Sequence, residues 1–356
     1  MTALKNVHPA YEEASDLEAA NDHAVVVTPL GAVLPAAYLE EAEPSPLMER
    51  ASRWWQRLIF TLRLGLILAL LGAYPLMSIL SHKVDSSPVL SSADAMWSSP
   101  ETATALTLIG REETGPGWAM DRSWWHPQAR LKALPAWQEG LTSALSDYML
   151  LTAQSVTPDE FAPDADLMAA GRLLAPVSDS PAEARMRAAA QALQRYEGRL
   201  SRDLAAAPNG VEAAQKELNL FIAWASTAET DLRIASETPD GWPASRYDIE
   251  TVYIARGQAH AAAELLNATF AAEPTLTASR DIAEARDVAI TAWRKAANFN
   301  PLFVSSPGQT QGLLSDHPAT LGWYIAEAKQ ATVTLNAALV AAQSDAEPEI
   351  VVAVTP

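Results

Sequence analysis

Between Leu64 and Ser81 the chain runs 18 residues without a charge, LGLILALLGAYPLMSILS, and nothing else in the sequence constrains the fold as strongly. As a helix rising about 1.5 Å per residue it covers roughly 27 Å, close to the hydrocarbon thickness of a bilayer, about 30 Å. Extending the run back to Leu58 admits only Arg63, whose long side chain can snorkel to headgroup level. Trp54, Trp55 and Tyr74 are the aromatic type that anchors at a membrane interface. A helix of a soluble domain normally keeps one polar face, and this run has none. The expectation is a single transmembrane helix, with Pro75 bending its last turns. Arg50, Arg53, Arg57 and Arg63 precede the run and Lys83 alone follows closely. Positive flanks stay inside, so the N-terminus is expected in the cytoplasm and the C-terminal region in the periplasm. The run starts near residue 58, too far along for a cleaved leader, which makes it an uncleaved signal anchor. Gly65, Ala69 and Ala73 form a small-residue stripe of the kind that brings two membrane helices together, so a homodimer is one expectation.

The run divides the chain into four parts: 1–49, 50–83, 84–343 and 344–356. Residues 1–49 carry nine acids and one base, Lys5, with no apolar periodicity. Such a segment buries too little apolar surface to offset ordering entropy, so it reads as a disordered acidic cytoplasmic tail. Its one apolar stretch, residues 24–35, could dock on a partner as an added strand; a chance apolar patch is the plainer reading. The last segment, 344–356, reads as a flexible tail.

Beyond the anchor the chain is rich in helical spacing. Ser99-Pro100-Glu101 looks like a cap and a first-turn proline, opening a helix to about Glu113. Trp137, Leu141, Leu145, Tyr148 and Met149 form a second stripe. A third, from Ser180-Pro181, carries Met186, Leu193, Tyr196, Leu200 and Leu204; a fourth carries Val211, Leu218, Phe221, Ile222, Ala225 and Leu232. The fifth spans about Ala244 to Ala272, and the sixth follows Thr277 through Ile282, Ala285, Ala289 and Trp293. The seventh begins at Asp316-His317-Pro318 and runs through Leu321, Tyr324, Ile325, Leu335 and Leu339. Strand patterns are nearly absent. The fold class expected is therefore all-α, a single transmembrane helix followed by a multi-helix periplasmic bundle. Two Gly- and Pro-rich loops interrupt it, 114–135 with Trp118, Trp124 and Trp125, and 298–316.

Several stretches resemble a proteobacterial family catalogued as Domain of Unknown Function family 2333. The run Tyr253-Ile254-Ala255-Arg256-Gly257-Gln258-Ala259 is similar to that family's Tyr-x-Ala-Arg-Gly-Gln-Ala signature. Asp316-His317 followed by Tyr324 resembles its Asn/Asp-His step before a Tyr-containing helix, with Asp316 where Asn is usual. Arg195-Tyr196-Glu197 to Arg199-Leu200 resembles its Arg-Tyr-x-x-Arg-Leu run, and Leu134-Pro135-Ala136-Trp137-Gln138 its Pro-Asn-Phe-Gln-like helix start. Ser305-Ser306-Pro307-Gly308 stands where the family has a Gly-Ser-Gly-like loop. The resemblance covers roughly residues 100–340. It implies a cell-envelope location and a helical domain; it implies no activity.

The chemistry legible in the residues is sparse. Cysteine is absent, which removes disulfides, thiolate catalysis and Cys-ligated metals. A net charge of −18 argues against nucleic acid as a partner. Metal binding would have to use His126, His260, His317 and Asp316; His260 and Glu264 share a helix face, which reads best as a solvated pair. Asp316 reads as a helix cap. No Gly-x-Ser-x-Gly elbow accompanies Ser305-Ser306, and Gly308 and Gly312 form no phosphate cradle. Glu112-Glu113 and Asp159-Glu160 read as solvated helix-end charges. Arg256, flanked by Ala255, Gly257 and Ala259, is the most informative polar position: either an internal ion pair that orients helices or a recognition residue. Tyr253, Arg256, Asn300, His317 and Tyr324 are the candidate partner or ligand contacts. No cofactor and no catalytic residue is expected. The leading expectation is a non-catalytic envelope scaffold or adaptor with protein partners; the rivals are an envelope enzyme acting on peptidoglycan or lipid, and a ligand-sensing module.

Overall fold

The computed structural model describes residues 26–27, 33–34, 46–81, 84–89, 97–123, 132–157, 162–176, 180–238, 241, 243–306 and 315–346. The chain divides into two compact units, Met1–Leu70 and Leu71–Pro356. Within the described residues nine α-helices carry almost all the regular structure. The exceptions are two short 3-10 turns and an antiparallel pair of two-residue strands, β1 (Val26–Val27) and β2 (Val33–Leu34). That pair lies in the apolar stretch 24–35, which here bonds to itself. The expected disorder of the rest of 1–45, the tail beyond 346, and Trp124, Trp125 and His126 lie outside the described residues.

Helix α1 (Pro46–Ser81) is 36 residues long and continues through Pro75. It begins well before the uncharged run, so the flanking arginines are helical too. It is the one helix among the described residues long and apolar enough to cross a membrane, and none of its apolar window is buried in protein.

The remaining helices form a bundle with one apolar core. They are α2 (Pro100–Thr114), α3 (Ala133–Ser155), α4 (Ala165–Leu174), α5 (Ala182–Leu200), α6 (Gly210–Glu237), α7 (Arg246–Ala272), α8 (Arg280–Ala297) and α9 (His317–Ala346). The sequence signals give seven of these eight. The addition is α4, ten residues long, too short for a stripe to declare itself. Asp164 caps it, accepting from the amides of Asp166 and Leu167. Two boundaries also move. The third expected stripe ends at Leu200, leaving Leu204 exposed, and α8 starts after Ser279 because Pro274–Thr277 forms a 3-10 turn.

Caps follow the expected chemistry in two places. Ser99 accepts from the Thr102 amide ahead of Pro100, and Asp316 accepts from the Ala319 amide at the head of α9. At α5 the cap comes from a distance instead: Asp121 accepts from the amides of Ala182 and Glu183 at 2.7 and 2.6 Å.

Helix α7 is the centre of the bundle. It packs on α3 and α2 on one side and on α6, α8 and α9 on the other. A capping box starts it, with Ser245 and Asp248 each accepting from the other's backbone amide. Alanines and one glycine let its neighbours close in. A Cβ on Gly257 would overlap the Trp137 carbonyl of α3, and one on Gly140 of α3 would overlap the Ile254 carbonyl of α7. At this crossing the backbones touch, and no larger residue fits on either side.

Candidate functional site

Because α7 is surrounded, its polar residues are inside. Arg256, His260 and Glu264, at intervals of four, form one ladder and are almost wholly buried. The expectation of a solvated His260–Glu264 pair is therefore corrected. Helix neighbours cover both residues, since α7 keeps no solvent face at these positions.

Arg256 stands at the lower rung. Its guanidinium lies 4.9 Å from the Tyr253 ring centroid and 5.6 Å from that of Trp137. Its Nε donates to the Ala297 carbonyl at 3.3 Å and Nη1 to Asn300 Oδ1 at 3.5 Å. Nη2 has no hydrogen-bond acceptor among the described residues. No carboxylate pairs with it there either, so the ion-pair expectation does not hold: aromatic faces and a carbonyl carry the charge. Burial lowers its pKa, and burial raises that of Tyr253 to about 12.

His260 stacks on Trp137 with ring centroids 5.4 Å apart, and its Nε2 is buried without a partner among the described residues. Burial above all, then the charge of Arg111, pushes it down to about 4, so it is neutral near pH 7. Trp137 Nε1 donates to Glu112 at 3.0 Å, and Gln138 Nε2 donates to the other Glu112 oxygen at 2.7 Å. Glu112 is thus an interior acceptor, correcting its reading as a solvated helix-end charge, and burial raises its pKa. Its neighbour Glu113 is exposed. Asp159-Glu160 lies outside the described residues.

Glu264 completes the ladder. Its Oε2 accepts from the Val89 amide at 3.0 Å, and Arg294 Nε stands 3.6 Å from Oε1, close enough for charge but too far for a hydrogen bond. Burial raises its pKa, partly opposed by Arg294.

The five sequence candidates fall into two groups joined by Phe299 and Asn300. Tyr253, Arg256 and Asn300 meet at the ladder. His317 and Tyr324 meet around Phe299, whose ring centroid is 5.8 Å from each. His317 Nδ1 accepts from the Ser305 amide at 3.0 Å and lies 2.8 Å from Ser305 Oγ, which itself donates to the Ser315 carbonyl at 2.6 Å. Ser305 is fully buried. Its proton is committed to a carbonyl, and Asp316 is committed to Ser236 and the helix cap. This Ser-His-Asp neighbourhood pins a loop; no nucleophile faces solvent from it.

Two features carried no sequence signal. The first is a second set of interior acids. Glu217 accepts from Thr269 Oγ1 at 2.5 Å beside Tyr148 and Glu101, and burial lifts it to about 8. Glu101 is raised by the same cause. Apolar periodicity marks Leu218 and Phe221 and is silent about the acid just before them, which shares their buried side of the helix. The second is a groove of about 770 Å³ between α8 and α9, floored by Val288, Ala292 and Ala331 and rimmed by Lys295, Trp323 and Glu327. Lys295 pairs with Glu327 at 2.7 Å and sits 4.6 Å from the centroids of both Trp323 and Tyr324. Among the described residues no three His, Asp or Glu side chains converge as metal ligands.

Comparison with protein-family models, curated proteins and solved structures found no match. The resemblance to Domain of Unknown Function family 2333 therefore rests on the motif residues alone.

Proposed function

We propose that this chain is a membrane-anchored adaptor of the bacterial cell envelope, held in the inner membrane by α1, with its N-terminus cytoplasmic and its helical bundle periplasmic. The observation that carries the reading is the unburied apolar window of α1, Arg50–Met77. About 20 apolar residues without protein cover need another apolar medium, and a lipid bilayer is the natural one. A helix of 36 residues is about 54 Å long, so it outruns the hydrocarbon core and leaves Arg50, Arg53 and Arg57 at headgroup level.

The adaptor reading is supported by where the ionisable groups are. In the described bundle they are spent on packing, caps and loop fixation, and the pocket that holds Glu101 and Glu217 has room for one water molecule. Catalysis would need ionisable groups set in opposed environments inside a substrate-sized cleft, and those on the α8–α9 groove, Asp287, Lys295 and Glu327, are exposed rim charges. Partners are then protein surfaces on either side of the membrane, a second copy through Gly65, Ala69 and Ala73 among them. The α8–α9 groove favours one alternative, a ligand-sensing bundle, because its apolar floor and charged rim are the usual make-up of a small-molecule site.

Fractionation and reporter fusion test the proposal. The chain should pellet with membranes and need detergent for release, and a phosphatase fused after residue 346 should be active only if exported. Recovery in the soluble fraction, or an inactive exported reporter with an active cytosolic one, would overturn it. For the sensing alternative, a ligand seated in the groove should raise the melting temperature, and Trp323→Ala should abolish the shift.

A further inference from the structure

Residues 84–89 lie just beyond α1 in the chain and form no helix, yet they are held firmly. Arg111 of α2 donates through Nη1 to the Ser87 carbonyl at 2.6 Å and through Nη2 to the Pro88 carbonyl at 2.9 Å. Glu264 of α7 accepts from the Val89 amide, and Ser86 Oγ donates to Asn298 at the end of α8 at 2.9 Å. Val89 is buried, and Val84 packs against the core. Three of these four bonds read backbone atoms, and all three are charge-assisted. His260 is close enough to feel the charges of both Asp85 and Arg111, and its buried Nε2 has no hydrogen-bond partner among the described residues.

We propose that Arg111 and Glu264 form a main-chain clamp, with the Ser86–Asn298 side-chain contact beside it: a binding site for an extended peptide, whose resident ligand is the chain's own linker 84–89, held so that it can be released. The chemistry favours a releasable ligand. An extended segment recognised through its carbonyls and amide gives up few side-chain contacts when it leaves, and only Val89 is deeply seated. Its companions in the site, a carboxylate and a guanidinium, are groups that water can take over.

Release changes reach. With the clamp open, the chain between α1 and the bundle gains the length of the released segment 84–89, six residues or up to about 20 Å. Combined with the proposed membrane anchor, on which this step rests, the clamp sets how far from the bilayer the bundle can work.

The absence of cysteine makes a clean test. Ser86→Cys with Asn298→Cys, in the full chain in detergent micelles, should oxidise to an intramolecular disulfide within minutes under mild oxidant. Adding Arg111→Ala should slow this at least tenfold. Val89→Pro, which deletes the amide that Glu264 accepts from and leaves Arg111 and Glu264 themselves in place, should slow it similarly. Circular dichroism melts confirm that the bundle remains folded in each. Absence of the disulfide in the otherwise wild-type pair, or rates indifferent to both Arg111→Ala and Val89→Pro, would overturn the clamp. A chain that cross-links but fractionates without detergent keeps the clamp and loses the anchor; one that pellets with membranes but does not cross-link does the reverse.

Discussion

Helices α1 and α7 invert the usual relation between polarity and burial. The more apolar of the two, α1, exposes Trp54, Phe60, Leu66, Leu68, Leu70 and Leu71, while α7 hides an arginine, a histidine and a glutamate in its body. Burial in protein is thus not set by hydrophobicity alone. A helix enters the middle of a bundle when its side chains are small enough for neighbours to reach its backbone, and six alanines between 255 and 268 are fully or almost fully buried in α7. Large leucines all round a helix favour a fluid apolar medium, which needs no shape match. The polar residues of α7 are then tolerated because stacking, carbonyls and amides meet them.

The sharpest way to break this comparison is to place the same substitution in both helices. Gly257→Val should abolish the cooperative thermal transition of the bundle, because its Cβ overlaps the Trp137 carbonyl and would approach the Leu141 amide nitrogen to 2.8 Å. Gly65→Val meets nothing within 4 Å and should leave the transition in place. If the small-residue stripe joins two copies, the α1 change will instead weaken cross-linking between chains, a readout that the bundle's melting does not move.

Next in size are the pH limbs of the bundle. Glu217 is raised from the ordinary carboxylate value of 4.5 to about 8, so folded chains keep a proton that unfolded chains lose. Its contribution to stability is full below about pH 4.5 and falls by about 4 kcal/mol as pH rises to about 8. Glu101 and Glu112 are shifted in the same direction. His260 is lowered from 6.5 to about 4, so its contribution is full above about pH 6.5 and falls by about 3 kcal/mol as pH drops to about 4. Urea midpoints measured from pH 4 to 9 should be nearly level between about pH 4.5 and 6.5, where the two groups oppose each other, and should then show an alkaline slope, falling from about pH 6.5 to 8. Glu217→Gln should flatten that slope and make the variant the more stable protein at pH 8. A wild-type midpoint independent of pH between 6.5 and 8 would refute the buried charged-or-neutral choice at Glu217.

The reciprocal test puts a charge into α1. Leu68→Asp should cost about 3 kcal/mol of membrane insertion and shift the chain toward the soluble fraction. The melting of the bundle should not change, because Leu68 belongs to the other compact unit. Equal membrane retention of Leu68→Asp and wild type would argue that the apolar face of α1 is covered by protein.

What the sequence could declare follows the same physics. The uncharged run 64–81, the caps at Ser99 and Asp316 and the stripe Trp137–Met149 were legible because each rests on local chemistry or on apolar residues that repeat with the helix. Apolar spacing makes Glu112, His260 and Glu264 look solvated, because it reports one side of a helix and assumes water on the other. In α7 no such side exists, and the hint was the run of alanines with few lysines or glutamates to face solvent. The clamp and the α8–α9 groove were illegible, since Arg111, Glu264 and Asn298 come together only after α2, α7 and α8 have packed. Helix α4 was lost to its length, although Asp164-Ala165-Asp166 carried an N-terminal signal that Arg199 reads from α5 at 2.8 Å.

The smallest expected effect separates two accounts of Arg256. If its charge were balanced by a hidden carboxylate, Arg256→Met would strand that acid and cost about 3–5 kcal/mol. In the described geometry the guanidinium has aromatic faces, one carbonyl and a long contact to Asn300, and Nη2 has no acceptor. Removing such a charge while keeping the apolar volume strands neutral oxygens, of Ala297, Asn300 and Tyr253, and no buried carboxylate among the described residues. Arg256→Met should therefore change stability by less than about 1.5 kcal/mol in either direction, whereas Arg256→Ala, which opens a cavity against Trp137 and Tyr253, should cost about 3 kcal/mol. Urea unfolding of the two variants side by side measures the difference. A Met variant as damaged as the Ala variant would mean that the charge itself holds α3, α7 and the 298–300 turn together, and that the buried polar ladder is an electrostatic element rather than a tolerated one.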